Sequence, residues 1–255
     1  MKRETVAYEL SLPALLVAML IFPMSPVIGL STTDDSAVVI GRSVEGRPII
    51  ARRFGEDSGI PVLVVGTIHG NERSGLQITR ALVESPVPNG FTLWVIDDLN
   101  PDGAVLATRQ NSRGVDLNRN FPVRWRKITC PSKFCSGRRP ASEPETSAFV
   151  DFFDRVKPVV TVFYHSVGNI VDLPNEGLRE VRALRVYAKR AQLPIAAVSC
   201  GSDGCTGNAT QFANESRPDG TAFVVELPCD DRCLSRRTVR RHVEAFWAAA
   251  RSAAD

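Results

Sequence analysis

His69 and Glu72 stand three positions apart in the stretch IHGNERSG, directly after the apolar run Val62 to Thr67. An imidazole nitrogen and a carboxylate oxygen are both good zinc donors, and a catalytic zinc is held by a small set of such groups with one position left open for water. Gly70 between them relieves backbone crowding, so a tight turn can aim both side chains at one point. The chain has only 3 histidines, which makes the search for another ligand short. His165 ends the apolar run VVTVFYHS, again at the carboxyl end of a predicted strand. His242 falls inside a predicted helix rich in Arg and Ala and reads as a structural residue, at the surface or half-buried. The expected metal set is therefore His69, Glu72 and His165, holding one zinc ion per chain.

Metal-assisted hydrolysis also needs a base for the attacking water and donors for the developing oxyanion. Glu226 interrupts the apolar strand TAFVVELP, where an unpartnered carboxylate would cost several kcal/mol. It is the expected general base, the competing reading being a salt bridge at the strand end. The loop RQNSRGVDLNRNFP, Arg109 to Pro122, concentrates arginine and asparagine. Such residues grip a carboxylate or an oxyanion through fixed hydrogen-bond forks. A solvated basic loop explains the same composition, and composition does not choose between the two.

These residues need a scaffold. Residues 37–54 predict a hairpin at a sheet edge, and the continuous apolar run Pro61 to Thr67 predicts a strand buried on both faces. Helical periodicity follows over Ser74 to Glu84, then a strand near Thr92 to Asp98 and a long polar loop to about Ser142. Beyond it the pattern predicts a helix at Glu143 to Val156, a buried strand at Val159 to His165 and a helix at Glu176 to Ala191. Strands at Ile195 to Ser199 and Ala222 to Leu227 and a helix from Ser235 to Ala250 complete it. The alternation implies an α/β fold, a mostly parallel mixed sheet covered by helices on both faces. Ligands in such sheets bind beyond the carboxyl ends of the strands, where His69 and His165 fall.

With 255 residues and 44% hydrophobic content, the chain can bury one substantial core. Lys and Arg number 31 against 28 Asp and Glu, which builds no long-range field for nucleic acid. Residues 1–31 differ in kind: Lys2 and Arg3 precede an almost uncharged run, Leu10 to Leu30, with Gly29 and Ser31 as small residues for a cleavage site. That layout predicts a secretory signal, with an uncleaved membrane anchor as the alternative. Residues 32–255 would then be the catalytic domain, outside the cytoplasm, and a monomer is expected. The 6 cysteines fall into close pairs, Cys130 with Cys135, Cys200 with Cys205 and Cys229 with Cys233. They read as disulfide staples of an oxidising compartment, and no pair of zinc-binding knuckles is present.

In order the chain shows GRSVEGRPI, HGNE, NPDG, GVDLNRNFP, SEPET, FYHS and FVVELP. This set resembles the zinc carboxypeptidases, the carboxypeptidase A-like metallopeptidases, over nearly all of the chain after the first segment. The resemblance implies zinc at His69, Glu72 and His165 and a general base at Glu226. It implies further that Arg109 polarises the scissile carbonyl, that Asn118 and Arg119 bind the free carboxylate of the residue released, and that Asp116 orients the His69 imidazole.

Digestive members place a mobile tyrosine before the catalytic glutamate, whereas the loop CGSDGCTGNATQFANESRPDG has none. Tyr164 is turned from the metal by strand alternation. The chain is more similar to the bacterial murein peptide amidases of the family, which implies a γ-D-glutamyl to diaminopimelate bond in cell-wall peptides as substrate. An ordinary peptide C-terminus stays open. Two other readings are an N-acyl amino acid deacylase of the aspartoacylase type, which usually carries a further β-rich domain after the glutamate, and a non-catalytic binder of cell-wall peptides.

Overall fold

The computed structural model describes residue 1 and residues 36–172, 182–198 and 205–255. The expected export segment therefore lies outside the described residues. Three apolar runs form the centre of the sheet as β3 (Ile60–Val65), β5 (Val160–Ser166) and β8 (Thr221–Leu227). The other strands are β1 (Ser36–Arg42), β2 (Pro48–Gly55), β4 (Phe91–Ile96), β6 (Ile170–Asp172) and β7 (Ile195–Ala196). The order across the sheet is β1-β2-β4-β3-β5-β8-β6-β7. β3 runs parallel to β4 and β5, β5 to β8 and β6 to β7, while the β1–β2, β2–β4 and β6–β8 pairings are antiparallel.

Strand alternation sends Val62 and Val64 to one face and Leu63 and Val65 to the other, all of them buried. On the first face pack α1 (Gly75–Val83), α4 (Arg182–Ala191) and α6 (Arg236–Ala254), through Ile78, Leu184, Tyr187 and Phe246. On the second pack α3 (Pro144–Val156) and α5 (Ala209–Ser216), through Phe149, Phe153 and Phe212. The local signals agree with these bounds. Ser235 accepts a hydrogen bond from Thr238 N at the start of α6, and Asn208 accepts one from Gln211 N at the start of α5. Each such cap stabilises a helix by about 1 kcal/mol.

From β3 the chain crosses through α1 to β4 on one side, while β5 lies on the other side of β3. The crevice at the carboxyl ends of β3 and β5 is thus a topological switch point, where sheets of this kind bind ligands.

The edge hairpin, the central strands and α1, α3 and α6 lie where the periodicity puts them. The long polar loop is less bare than expected, since α2 (Pro101–Leu106) and a 3-10 turn at Leu117–Arg119 are set in it. β6 and α5 were likewise absent from the expectation. Two of the expected staples are formed, Cys130–Cys135 and Cys229–Cys233; the third includes Cys200, which lies outside the described residues. His242 is not at the surface or half-buried: it is buried in the α4–α6 layer, with Tyr187 Oη 2.7 Å from its Nδ1.

Candidate active site

β3 delivers the chain to His69, and a turn closed by Glu72 N donating to His69 O at 3.0 Å brings Glu72 back beside it. His165 sits near the end of β5 on the face opposite to Tyr164, which bonds to Tyr187 Oη in the other layer. Glu72 Oε2 lies 2.9 Å from His69 Nδ1 and 3.0 Å from His165 Nδ1, and the two ring nitrogens are 3.1 Å apart. All three residues are buried. Donors bound to one tetrahedral zinc at its usual bond lengths stand about 3.3 Å from one another. The cluster has that spacing and that chemistry, so these residues fit the ion.

Asp116 accepts from His69 Nε2 at 3.1 Å through one oxygen and from Arg109 Nε at 3.0 Å through the other. Burial opposes charge on His69, but the Glu72 and Asp116 carboxylates outweigh it and raise its pKa. Burial likewise opposes charge on Glu72, and the nearby His69 together with hydrogen bonds from both imidazoles holds its carboxyl well below the usual carboxylate range. Arg109 reaches into the cluster, with Nη1 3.1 Å from Glu72 Oε1.

A cleft of about 550 Å³ opens over the cluster, and Arg109, Asn118, Arg119 and Glu226 all line it. Glu226 pairs in register with His165 across β8 and β5, so both point to the same face. Burial, with Glu72 adding to it, raises the Glu226 pKa. The His165 and His69 imidazoles and the Arg109 guanidinium are near enough to oppose part of that rise. Asn118 Oδ1 accepts from Ala209 N at 2.9 Å, and Arg119 Nη1 donates to Asn118 O at 2.7 Å.

Sequence reasoning missed Phe134, whose ring lies 5.4 Å from the Arg109 guanidinium carbon and 5.1 Å from that of Arg119. It stands inside the Cys130–Cys135 staple, and only its position between two cysteines singled it out. Also missed was what the remaining motifs do. Asp102 of NPDG accepts from Ser43 Oγ at 2.7 Å, Glu45 N at 2.9 Å and Arg47 Nη1 at 2.6 Å, all in GRSVEGRPI. Glu143 and Glu145 of SEPET both accept from Asn111 Nδ2, at 2.9 and 3.2 Å. These motifs are a polar frame for the Arg109–Arg119 loop, which Asp102 also holds through Ser112 and the two glutamates through Asn111.

A histidine and carboxylate cluster beside a polar cleft, at the carboxyl edge of a sheet covered by helices on both faces, defines a metal-dependent hydrolase of the α/β class. Residues 34–249 match the zinc carboxypeptidase family, and the chain belongs to that family. The family's metal is zinc, and His69, Glu72 and His165 form a cluster able to hold it. Murein peptide amidase A of Escherichia coli K12 is 34% identical over 140 residues, a match covering 49% of this chain and 57% of that protein. The namesake of Vibrio campbellii is 27% identical over 220 residues, covering 82% of this chain and 84% of its own. Carboxypeptidase A of Helicoverpa armigera shares the fold, with a TM-score of 0.71 at 21% identity over 86% of this chain and 68% of that one.

Proposed function

We propose that the protein is a zinc carboxypeptidase that hydrolyses the amide bond next to a terminal, carboxylate-bearing residue, with murein peptides as its substrates. The observation that carries this reading is the shared cleft. Glu226 and the His69, Glu72, His165 cluster lie on its floor, and Arg109, Asn118 and Arg119 line it too. Zinc at the cluster would act as a Lewis acid and make water acidic enough to ionise near neutral pH.

The chain's own groups supply the rest. Glu226 takes a proton from the attacking water and returns it to the leaving amine, a task suited to a carboxyl whose pKa is raised. Arg109 donates hydrogen bonds to the developing oxyanion. Arg119 and the Asn118 amide hold the terminal carboxylate of the residue to be released, and Phe134 fixes the planes of both guanidinium groups by cation–π contact. Asp116 holds the His69 ring.

The similarity to two murein peptide amidases supports a cell-wall peptide as substrate. The family match over 34–249 favours peptide hydrolysis over the aspartoacylase reading, and the filled set of site positions disfavours a non-catalytic binder. Residues 1–31 are proposed as the export signal or anchor and 32–255 as the catalytic domain, working as a monomer outside the cytoplasm, secreted, periplasmic or attached to the outer face of the membrane. The Cys130–Cys135 and Cys229–Cys233 bridges support an oxidising compartment. Among the described residues no helix is long and apolar enough to cross a membrane.

The test is mass spectrometry of products from defined muropeptides and from a library of L-peptides. Release of diaminopimelate-containing products from the muropeptides is expected. Cleavage of acetylated amino acids but of no peptide would return the deacylase reading.

A further inference from the structure

We propose that a second groove, behind one wall of the catalytic cleft, binds a phosphate-bearing anionic polymer. Charge is spread unevenly along the chain. Residues 109–139 hold 9 of the 31 Lys and Arg but only 1 of the 28 Asp and Glu, so this stretch carries +8 against +3 for the whole chain. Four of its cations, Arg113, Lys127, Arg138 and Arg139, line a groove of about 960 Å³ in which Glu143 is the one acidic lining residue. All four are exposed. Arg113 Nη1 lies 3.6 Å from Glu143 Oε2, while among the described residues Lys127, Arg138 and Arg139 form no ion pair.

The cations come from three separate stretches of chain, and buried Ser136 fastens the backbone that carries them. Its carbonyl accepts from Asn120 Nδ2 at 2.8 Å and from Trp125 Nε1 at 3.0 Å, and its hydroxyl accepts from Ile128 N at 2.7 Å. Asn120 Nδ2 also donates to Arg139 O at 3.2 Å, and the Cys130–Cys135 bridge closes the turn between Lys127 and Arg138. Like charges gathered this way repel one another, and a concave wall of one sign concentrates counter-charge. A bound anion relieves the repulsion. Guanidinium forks suit phosphate, whose oxygens point several ways and can bridge cations from different stretches, whereas the two oxygens of a carboxylate share one plane. No aromatic side chain lines the groove, so bases would find no stacking platform and recognition falls on the phosphates. A concave groove also fits a chain better than the flat face of a membrane. Val115 lines the groove while its neighbour Asp116 holds His69; Cys130 lines the groove while Lys133 and Phe134 line the catalytic cleft. A polymer seated there keeps the cleft close to material carried on or beside it.

The test is binding of end-labelled inorganic polyphosphate to the full chain, read by fluorescence anisotropy over a range of salt. Contacts from four cations predict that log Kd rises with log[salt] with a slope of about 3. Replacing three of them together, Lys127→Gln, Arg138→Gln and Arg139→Gln, should weaken binding by about tenfold or more and bring the slope toward about 1. A control with the same change in charge outside the groove, Arg232→Gln, Arg236→Gln and Arg237→Gln, should bind within about twofold of wild type. All six residues are exposed, so both variants should keep the wild-type urea midpoint; if the first does not, Arg138→Gln alone should lower the slope by about 0.7. Equal losses in the groove variant and the control would show a general effect of charge and overturn the proposal. So would absence of binding at low salt, poly-L-glutamate binding as tightly as polyphosphate, which assigns an acidic peptide, or tighter binding of anionic phospholipid vesicles, which assigns a membrane surface.

Discussion

Asp116 accepts the Nε2 proton of His69 at 3.1 Å. That bond sets the tautomer, leaving the lone pair of His69 on Nδ1, the atom that faces Glu72 and His165. Hydrogen-bonded partners of this kind tune metal affinity by about 10–100-fold. Asp116→Asn should therefore weaken zinc binding by about that factor, measured by competition with a chromogenic chelator. Unchanged affinity would mean that the ring is held by packing alone.

Gly70 lies against Gly103 so closely that a Cβ on Gly70 would stand 1.9 Å from the Gly103 carbonyl carbon. The contact locks the turn bearing His69 and Glu72 onto α2. Overpacking of this order destabilises a protein by about 1–3 kcal/mol. Gly70→Ala should lower the urea midpoint accordingly and weaken zinc binding with it; a variant with wild-type values for both would show that the turn is free to shift.

His242 gives the fold a defined acid limb. Burial, with Arg241 adding to it, pushes its pKa down to about 4 from an ordinary 6.5. As pH falls below 6.5 the unfolded chain takes up the proton first, so stability is lost between pH 6.5 and about 4 and no further below that. The full loss is about 3 kcal/mol. Denaturant unfolding of wild type and His242→Gln across that range should show the difference between them shrinking as the pH drops. A constant difference would contradict a neutral, buried His242.

The cluster was legible because its signals are local: two buried strand runs that end in histidine and one charge inside an apolar strand. The same runs displayed the central sheet, since burial on both faces leaves a continuous apolar pattern. α2 was hidden by its length, although Asn100 caps it and Pro101 opens it. β6 has three residues and exists through pairing with β8, which no local pattern announces. The role of NPDG was invisible for a related reason. Asp102 is buried by partners about sixty positions away, such as Ser43, so the motif reads as a turn until the hairpin is docked on it. His242 was misjudged because its flanking arginines suggest a surface, while the Tyr187 hydroxyl supplies its partner from another helix.

The central claim is that Glu226 is the base of a zinc hydrolase whose metal is held by His69, Glu72 and His165. Glu226→Gln keeps the shape of the side chain and removes its capacity to accept a proton. Zinc content by atomic absorption should stay at one ion per chain, while turnover of a murein peptide falls by about 10² or more. Turnover close to wild type in the zinc-loaded variant would contradict the claim.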